Sequence, residues 1–183
     1  LGNRFKWNWT SALVGAASAT AAVALMNCRP KDPAFHLISI NLTSFKVNFP
    51  VLDSELVLNV HAFNPNVAPL DYSASTMSIF YNGSLLGTAQ VDAGSQGPKC
   101  CQVLRLPARL SGLQIAQHSK KFFRDVAMRE MVLDAKMDLK GLAKILWWNR
   151  GVKITVDSRI TVDPVFLDVI DQDHKSHLDL FCS

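Results

Sequence analysis

The side chains with the clearest potential for chemistry are four cysteines, Cys28, Cys100, Cys101 and Cys182. Their spacing matches no common zinc motif. Cys100 and Cys101 are neighbours, and a bridge between neighbours is strained. We therefore predict a disulfide between Cys182 and either Cys100 or Cys101 in an oxidising compartment. The alternative is four reduced thiols, some of them buried as small apolar side chains.

The end of the chain carries a second group that could bind a metal ion. His174 and His177 have a His-x-x-His spacing, and Asp171 and Asp173 lie beside them. Imidazoles and carboxylates at such a spacing can ligate zinc. An acidic segment of this kind is more often solvated. We therefore predict no metal site and no cofactor, and we interpret residues 167–183 as an acidic C-terminal tail.

Catalysis has no recognisable signature in the sequence. A Gly-x-Ser-x-Gly elbow, a phosphate-binding loop, a dinucleotide-binding glycine pattern and a His-Glu-x-x-His motif do not occur. The acidic and basic side chains are scattered over strand faces that the pattern predicts to be solvated. We therefore predict that the protein is not an enzyme and acts by binding.

The distribution of charge argues against nucleic acid as a partner. The net charge is +4, but the first 34 residues hold four basic and one acidic side chain, so the rest is nearly neutral. Nucleic-acid binding would need a domain-wide basic excess. Lys99–Lys153 holds 12 basic and 4 acidic residues, and the residues after it hold two basic residues and six Asp. This split predicts either two solvated faces that attract each other or a basic surface that contacts anionic lipid.

Aromatic residues beside the basic ones bear on the second interpretation. Trp147 and Trp148 are adjacent on a predicted strand, so their indoles point to opposite faces. One would lie in the core. The other would cap the end of the domain, which is the more favoured reading, or contact a membrane or partner. The predicted contacts to a lipid or a protein partner are Lys120, Lys121, Arg124, Trp148 and Arg150.

Three Asn-x-Ser/Thr sequons begin at Asn8, Asn41 and Asn82. Asn8 lies next to a long apolar segment and would be a poor acceptor. Asn82 lies on a predicted hairpin tip, where an acceptor is accessible. We predict Asn41 and Asn82 as glycosylation sites if the domain lies in a secretory lumen or outside the cell.

Residues 9–28 are predicted to form a single transmembrane helix. Trp9–Met26 contains no charged residue and would span about 27 Å as a helix, and tryptophans and basic residues flank it. The alternatives are a signal-peptide core and a buried helix of a soluble protein. Residues 1–8 would be a truncated N-terminal flank, because the first residue is Leu, and residues 29–34 a linker stiffened by prolines.

Most of the remaining chain alternates apolar and polar residues with the period of β-strands. The alternation is clear in Leu56–Ala62 and cleanest in Met131–Leu139, where one face would be buried and the other solvated. Asn82-Gly83 predicts a type I′ hairpin turn, because both positions need positive φ. Phase slips in the apolar pattern of residues 35–49 predict one bulged strand or two strands.

One stretch, Leu113–Arg129, changes to helical spacing. Its stripe would consist of Ile115, Ser119, Phe122 and Val126, with Ala116 and Phe123 beside it. Asn149-Arg150-Gly151 then predicts a turn into a last strand that ends at Asp163-Pro164. Short strands without intervening helices disfavour a parallel sheet. We predict a mainly β fold, an antiparallel immunoglobulin- or fibronectin-like β-sandwich over residues 35–166 with one short helix, preceded by the transmembrane helix.

Several short motifs occur together between Arg29 and Val162. They are Arg29-Pro30, Asn64-Pro65-Asn66, Tyr72, Tyr81-Asn82-Gly83 and Leu86-Gly87. In this combination, after a single apolar helix, the chain resembles the plant late-embryogenesis-abundant group-two proteins. More narrowly, it resembles their membrane-anchored branch, the harpin-induced and non-race-specific-disease-resistance-like proteins.

The resemblance implies a β-sandwich with a small helix, a short cytosolic N-terminus, one anchor and a domain outside the cytosol. Members of the family are associated with pathogen defence, the plasma membrane, plasmodesmata and water or salt stress, and no catalytic residue is carried over. Our first hypothesis is therefore an anchored surface protein that binds a partner in defence or stress signalling. A lipid-binding or membrane-contact module is the alternative, and a soluble desiccation protectant is a third.

Overall fold

The computed structural model describes residues 30–48, 51–111, 119–145 and 148–181. From Lys31 onward the chain is one compact unit, and its described part contains ten strands and one short helix. The elements are β1 (Ala34–Asn48), β2 (Val51–Phe63), β3 (Leu70–Tyr72), β4 (Ser75–Tyr81), β5 (Ser84–Val91), β6 (Gly94–Gln96), β7 (Cys101–Ser111), α1 (Ser119–Met128), β8 (Met131–Ile145), β9 (Trp148–Asp163) and β10 (Asp168–Phe181).

All ten strands belong to one antiparallel sheet, which begins in the order β1-β2-β7-β5-β4-β8. From β8 the sheet continues through β9 to β10, while the short β3 pairs with β8 and β6. The sheet curls, so that β1 and β10 come to lie against each other. The predicted mainly β, antiparallel fold with one short helix is confirmed. The sandwich is not confirmed, because one continuous ladder links strands that a sandwich would divide between two sheets.

The inner face of the curled sheet carries the apolar core. The alternation predicted for Leu56–Ala62 and for Met131–Leu139 is confirmed, since every second residue faces inward and Lys136 and Lys140 are exposed. The buried apolar residues include Leu56, Leu58, Ala62, Ile79, Leu106, Met137, Leu139, Ile154 and Val156. Each Leu, Ile, Val or Met side chain among them contributes about 1.5–3 kcal/mol by leaving water, so these strands form the stable centre of the domain.

Two predictions of local backbone geometry are confirmed. Asn82 and Gly83 have φ angles of 50° and 80° in the two-residue turn between β4 and β5. β1 is one long strand with two register shifts inside Leu37–Ser44, which account for the phase slips in its apolar pattern. Gly87 lies so close to the backbone carbonyl of Arg109 that a Cβ would collide with it.

The predicted acidic tail is wrong for most of its length, because Asp168–Phe181 is strand β10 and pairs with β9. The Asp163 carboxylate accepts the backbone N–H groups of Val165 at 2.8 Å and Phe166 at 3.2 Å, and it pairs with Arg129 at 2.7 Å. These contacts turn the chain back along β9 where the pattern predicted an end. β10 is an edge strand with a polar outer face, so its composition looks like that of a solvated segment.

The turn predicted at Asn149-Arg150-Gly151 is also wrong, because these residues lie inside β9 and pair with β8. Gly151 is explained by packing instead, since the Phe181 ring occupies the space that a Cβ would need. In α1, Phe122 and Val126 are half-buried as predicted. Its buried residue, however, is Asp125, and Phe123 is exposed. Ile115 and Ala116 lie outside the described residues.

The predicted anchor of residues 9–28 and its flank, residues 1–8, fall outside the described residues. In the part that the structure describes, no helix has the length and hydropathy to cross a bilayer. Residues 30–34 of the predicted linker are described, Pro33 is buried, and Ala34 is already the first residue of β1. The end of the linker therefore packs as part of the domain.

Candidate functional site

The first polar cluster is built on Asn64, at the end of β2. Asn64 is buried, and its side-chain amide donates to the carbonyls of Ala68 and Gly97, both at 3.0 Å. Its Oδ1 accepts the backbone N–H of Asn66 at 3.0 Å, and its own N–H donates to Cys100 O. The side chain thus satisfies backbone groups on two separate loops. We call residues 64–68 the Asn64 loop.

The Asn64 loop also holds the linker that precedes β1. The Asn66 amide accepts the Lys31 N–H at 2.7 Å and donates to the Lys31 carbonyl at 2.8 Å. Lys99 donates its N–H to Asn66 O and its ammonium to Pro65 O. The Asn-Pro-Asn motif therefore joins three segments through backbone groups and offers few polar atoms to a ligand.

The aromatic motif residues have structural contacts as well. Tyr81 is buried and donates its hydroxyl to Asp125 of α1 at 2.7 Å. Burial and the contact with Asp125 raise the pKa of the Tyr81 phenol above its usual range. Lys121 lies 3.6 Å from Asp125 and 5.0 Å from the centre of the Tyr81 ring. Tyr72 packs against Gly94, where a Cβ would meet its hydroxyl. These contacts hold α1 and β6 on the sheet.

A second polar cluster joins the two edge strands, β1 and β10. The Gln172 side chain accepts the Leu37 N–H at 2.8 Å and donates to Phe35 O at 3.4 Å and to Ser158 Oγ at 3.0 Å. Asp32 accepts the Leu178 N–H at 2.8 Å. A regular ladder would use backbone groups throughout. We call this contact, made by residues 32–37 and 172–178, the seam.

The apolar interior directly below the seam is not completely filled. One cavity of about 50 Å³ is lined by Phe35 and Leu37 of β1, by Gln172 and Ser158, and by apolar side chains of the sheet. A second cavity, of about 40 Å³, has only apolar lining residues. The two cavities share Leu37, Leu58, Met77, Ala135 and Ile160. They are therefore neighbours, and the seam covers one of them.

The predicted contact residues do not form one surface. Lys120 and Arg124 are exposed on α1, next to the exposed Phe123, whereas Lys121 faces Asp125. α1 ends just before the start of β8. Trp148 and Arg150 pair with Ile145 and Ala143 near the other end of β8. Some twelve residues of strand, about 40 Å if straight, separate the two groups. The exposed groups on α1 are thus a separate patch, and the side chain of Trp148 lies outside the description.

Ion pairs cross between β8 and β9. On the outer face of β8 and β9, Arg159 pairs with Asp134 at 2.9 Å and Lys153 with Asp138 at 3.3 Å. Lys136 lies 3.7 Å from Asp157. The alternating charges meet across the strands of one solvated face, and of these pairs only Lys136–Asp157 joins a base of Lys99–Lys153 to an acid of the residues after it. Exposed pairs of this kind contribute at most about 1 kcal/mol each.

The remaining predicted site residues are dispersed. Asn41 on β1 and Asn82 at the β4–β5 turn are exposed, so both sequons are accessible. Cys100 and Cys101 are exposed, while Cys28 and Cys182 lie outside the described residues. The disulfide and the glycans stay predictions.

The histidines of the predicted acidic tail have separate partners. The His174 ring contacts His36, whereas His177 faces Asp32 and Asp179. Within the described ranges, no three His, Cys, Asp or Glu side chains could hold a metal ion. Sequence reasoning missed Gln172, Asp125 and Asp32 as structural contacts, because their partners are 44 or more residues away. The alternation of β10 was the one signal that could have located Gln172.

Comparisons with known proteins give one family match. The model of the LEA_2 family, described as late embryogenesis abundant protein, matches residues 59–168. No curated protein matches the chain. Among solved structures, a protein from Archaeoglobus fulgidus has 13% sequence identity, with 81% of this chain and 99% of that chain covered and a TM-score of 0.34. At that TM-score the likeness carries no argument.

Proposed function

Because the chain belongs to the LEA_2 family of late embryogenesis abundant proteins, which fits a stress-related role, we propose that it is a non-enzymatic binding protein in plant defence or abiotic stress. It belongs, on this proposal, to the membrane-anchored harpin-induced branch. Residues 9–28 hold it in the plasma membrane or another membrane of the secretory pathway, and the sheet domain lies outside the cytosol. The observation that supports a stress-related role is the family match over residues 59–168, which spans the Asn64 loop and β8.

Membrane extraction and glycan analysis test the placement. The full chain, expressed in plant cells, should stay in the membrane pellet after alkaline carbonate treatment. Endoglycosidase should increase its mobility, and Asn41→Gln with Asn82→Gln should abolish that shift. Release by carbonate would contradict the anchor and favour the desiccation-protectant alternative. Protease digestion of sealed vesicles then reports the side of the membrane, and complete digestion from the cytosolic side would contradict the proposed orientation.

The two adjacent interior cavities favour a specific ligand class, an apolar chain such as the acyl chain of a lipid. Their walls are apolar except for Ser158 and Gln172 at the seam. Typical ligand pockets measure roughly 300–1,000 Å³. The two cavities, of about 50 and 40 Å³, are much smaller, so the interior would have to widen to admit an acyl chain. Widening of the interior at the seam would require the least free energy, because side-chain hydrogen bonds rather than a backbone ladder hold β1 and β10 together there.

Photo-crosslinking tests this ligand class. A palmitic acid analogue with a diazirine on its chain should label peptides that contain Met77 and Ala135, which line both cavities. Ala135→Leu fills the shared volume and should reduce labelling at least fivefold. Lys136→Leu places the same side chain on the opposite, exposed face of β8 and is the matched control. Equal labelling of both variants would contradict an interior site.

A further inference from the structure

Three histidines converge where β1 meets β10. His36 on β1 and His174 on β10 have ring centroids 4.2 Å apart in an edge-to-face arrangement. His61 on β2 is the cross-strand partner of His36. The chain contains five histidines, so three of them meet at a contact that connects the two ends of the sheet. We call His36, His61 and His174 the histidine cluster.

The histidine cluster lies beside the hydrogen bonds that hold the seam. His36 is flanked by Phe35 and Leu37, whose backbone groups bind the Gln172 side chain. His174 lies between Gln172 and Ser176, and Ser176 donates its hydroxyl to Pro33 O. Any force that separates the two imidazoles therefore acts on the residues that close the seam. Phe35 and Leu37 also line the cavity below, so separation would uncover the apolar interior.

We propose that the seam is an acid-operated gate, in which protonation of the histidine cluster separates β1 from β10 and opens the apolar interior. The gate would regulate the apolar-ligand site proposed above, and its biological purpose rests on that site. Two imidazolium rings at a 4.2 Å centroid distance would repel each other, and solvent screens part of this repulsion because His36 is exposed. The Gln172 and Ser176 contacts are neutral hydrogen bonds with a modest net contribution to stability, so repulsion across the seam can compete with them.

The direction of the pH effect follows from His36. Burial and the proximity of His174 and His61 lower the pKa of His36 from its ordinary value of 6.5. Opening of the seam moves His174 away from His36 and so restores a higher pKa of His36. The open seam therefore binds protons more readily than the closed one. The closed seam is thus fully favoured above about pH 6.5 and loses stability as pH falls below that value.

The other charged groups around the seam do not cancel this effect. In the β9–β10 pairing the neutral Ser158 is opposite His174. Asp173 and Lys175 of β10 line a polar groove on the outer face together with Asp157 and Arg159. His177 acts in the opposite direction, because its protonated ring would attract Asp32 at 3.7 Å and Asp179 at 3.1 Å. All three side chains are more than half exposed, so solvent screens that attraction.

Hydrogen exchange measured by mass spectrometry tests the gate on the full chain in mild detergent. After correction for intrinsic exchange rates, peptides covering residues 34–40 and 172–178 should lose about tenfold protection between pH 7.5 and pH 5.5. Peptides from the centre of β8 and β9 should change less than twofold. His174→Phe keeps a ring at the contact but cannot be protonated, so it should abolish the loss.

Two further variants guard against a folding artefact. His36→Gln repeats the test from β1 and should also abolish the loss, whereas the matched control His177→Gln should retain it. A wild-type seam with unchanged protection at pH 5.5 would overturn the gate, and so would a loss of protection that persists in both His174→Phe and His36→Gln.

The palmitic acid analogue separates the gate from the ligand site. Acid-dependent exchange with labelling that rises severalfold at pH 5.5 supports both. Acid-dependent exchange without any labelling at either pH supports the gate and overturns the ligand site. Labelling of Met77 and Ala135 peptides that is equal at both pH values, with constant exchange, supports the ligand site and overturns the gate.

Discussion

The Asn64 loop and the seam use the same chemical group in different surroundings. In each, a side-chain amide binds backbone N–H and C=O groups that no neighbouring strand engages at that point. The Asn64 amide is 1% exposed and its three bonds all measure 3.0 Å. The Gln172 amide is only partly buried, one of its bonds measures 3.4 Å, and a cavity lies beneath it.

The difference teaches where this fold is fixed and where it can open. An amide stabilises most when leaving it unpaired would bury polar groups without partners, as at Asn64. At the seam, water can replace the hydrogen bonds of Gln172 once the strands separate. Breaking the bonds of the Gln172 amide therefore requires less free energy than breaking those of the Asn64 amide. The first region therefore specifies the fold, and the second offers access to its interior.

The largest expected effect on stability comes from a substitution in the apolar core. Val60 lies on β2 and lines the cavity below the seam. Val60→Asp should abolish folding, or destabilise the domain by more than about 4 kcal/mol, because it places an unpaired carboxylate among apolar side chains. The measurement is urea unfolding followed by tryptophan fluorescence and circular dichroism.

Lys136→Asp is the matched control for Val60→Asp. The Lys136 side chain is 65% exposed and faces Asp157. Its replacement should change stability by no more than about 1 kcal/mol in spite of the like charges. Equal stability of the two variants would show that the inward and outward faces have been assigned incorrectly.

The second prediction concerns the Asn64 loop itself. Asn64→Asp keeps the shape of the side chain but removes the donor that binds the carbonyls of Ala68 and Gly97. A buried carboxylate would then face two carbonyl oxygens, and we expect a loss of about 3 kcal/mol in the free energy of unfolding. Asn66→Asp removes a donor whose bond is exposed and should cost about 1 kcal/mol. If Asn66→Asp proved the more harmful, the loop would not be organised by burial.

The sequence predicted the parts of the fold that depend on near neighbours. Alternation located β2 and β8, and Asn82-Gly83 located the hairpin, because each signal is complete within a few residues. The bulged β1 could also be recognised, since a register shift leaves a visible phase slip. These elements could be predicted without knowing which strands pair with them.

The parts that sequence reasoning missed depend on distant partners. β10 looked like a solvated tail, because its pairing with β9 depends on a turn in which Arg129 contacts Asp163 from 34 positions away. Asp125 was not singled out by the local pattern, because the Tyr81 hydroxyl that donates to its carboxylate is 44 positions away. The seam joins residues 135 to 146 positions apart. No local pattern could have placed Gln172 opposite Leu37.

The third prediction concerns the attachment of α1 to the sheet. Tyr81→Phe keeps the ring but leaves the buried Asp125 carboxylate with Lys121 at 3.6 Å as its remaining charged contact. We expect a loss of about 1–2 kcal/mol. Hydrogen exchange should rise in Ser119–Met128 and stay constant in β2. A uniform increase along the chain would instead indicate global destabilisation and contradict a local role.

The smallest global effect is expected at the seam. Gln172→Leu removes the bonds to Leu37 N–H and Phe35 O and adds apolar surface at the cavity, so these two contributions nearly offset each other. We expect a change below about 1 kcal/mol in the free energy of unfolding but a severalfold loss of exchange protection in residues 34–40 at pH 7.5. Gln172→Glu retains an acceptor for Leu37 and should show an intermediate loss. A destabilisation as large as that of Asn64→Asp would remove the distinction between the two regions, because the seam would then be as essential to the fold as the Asn64 loop.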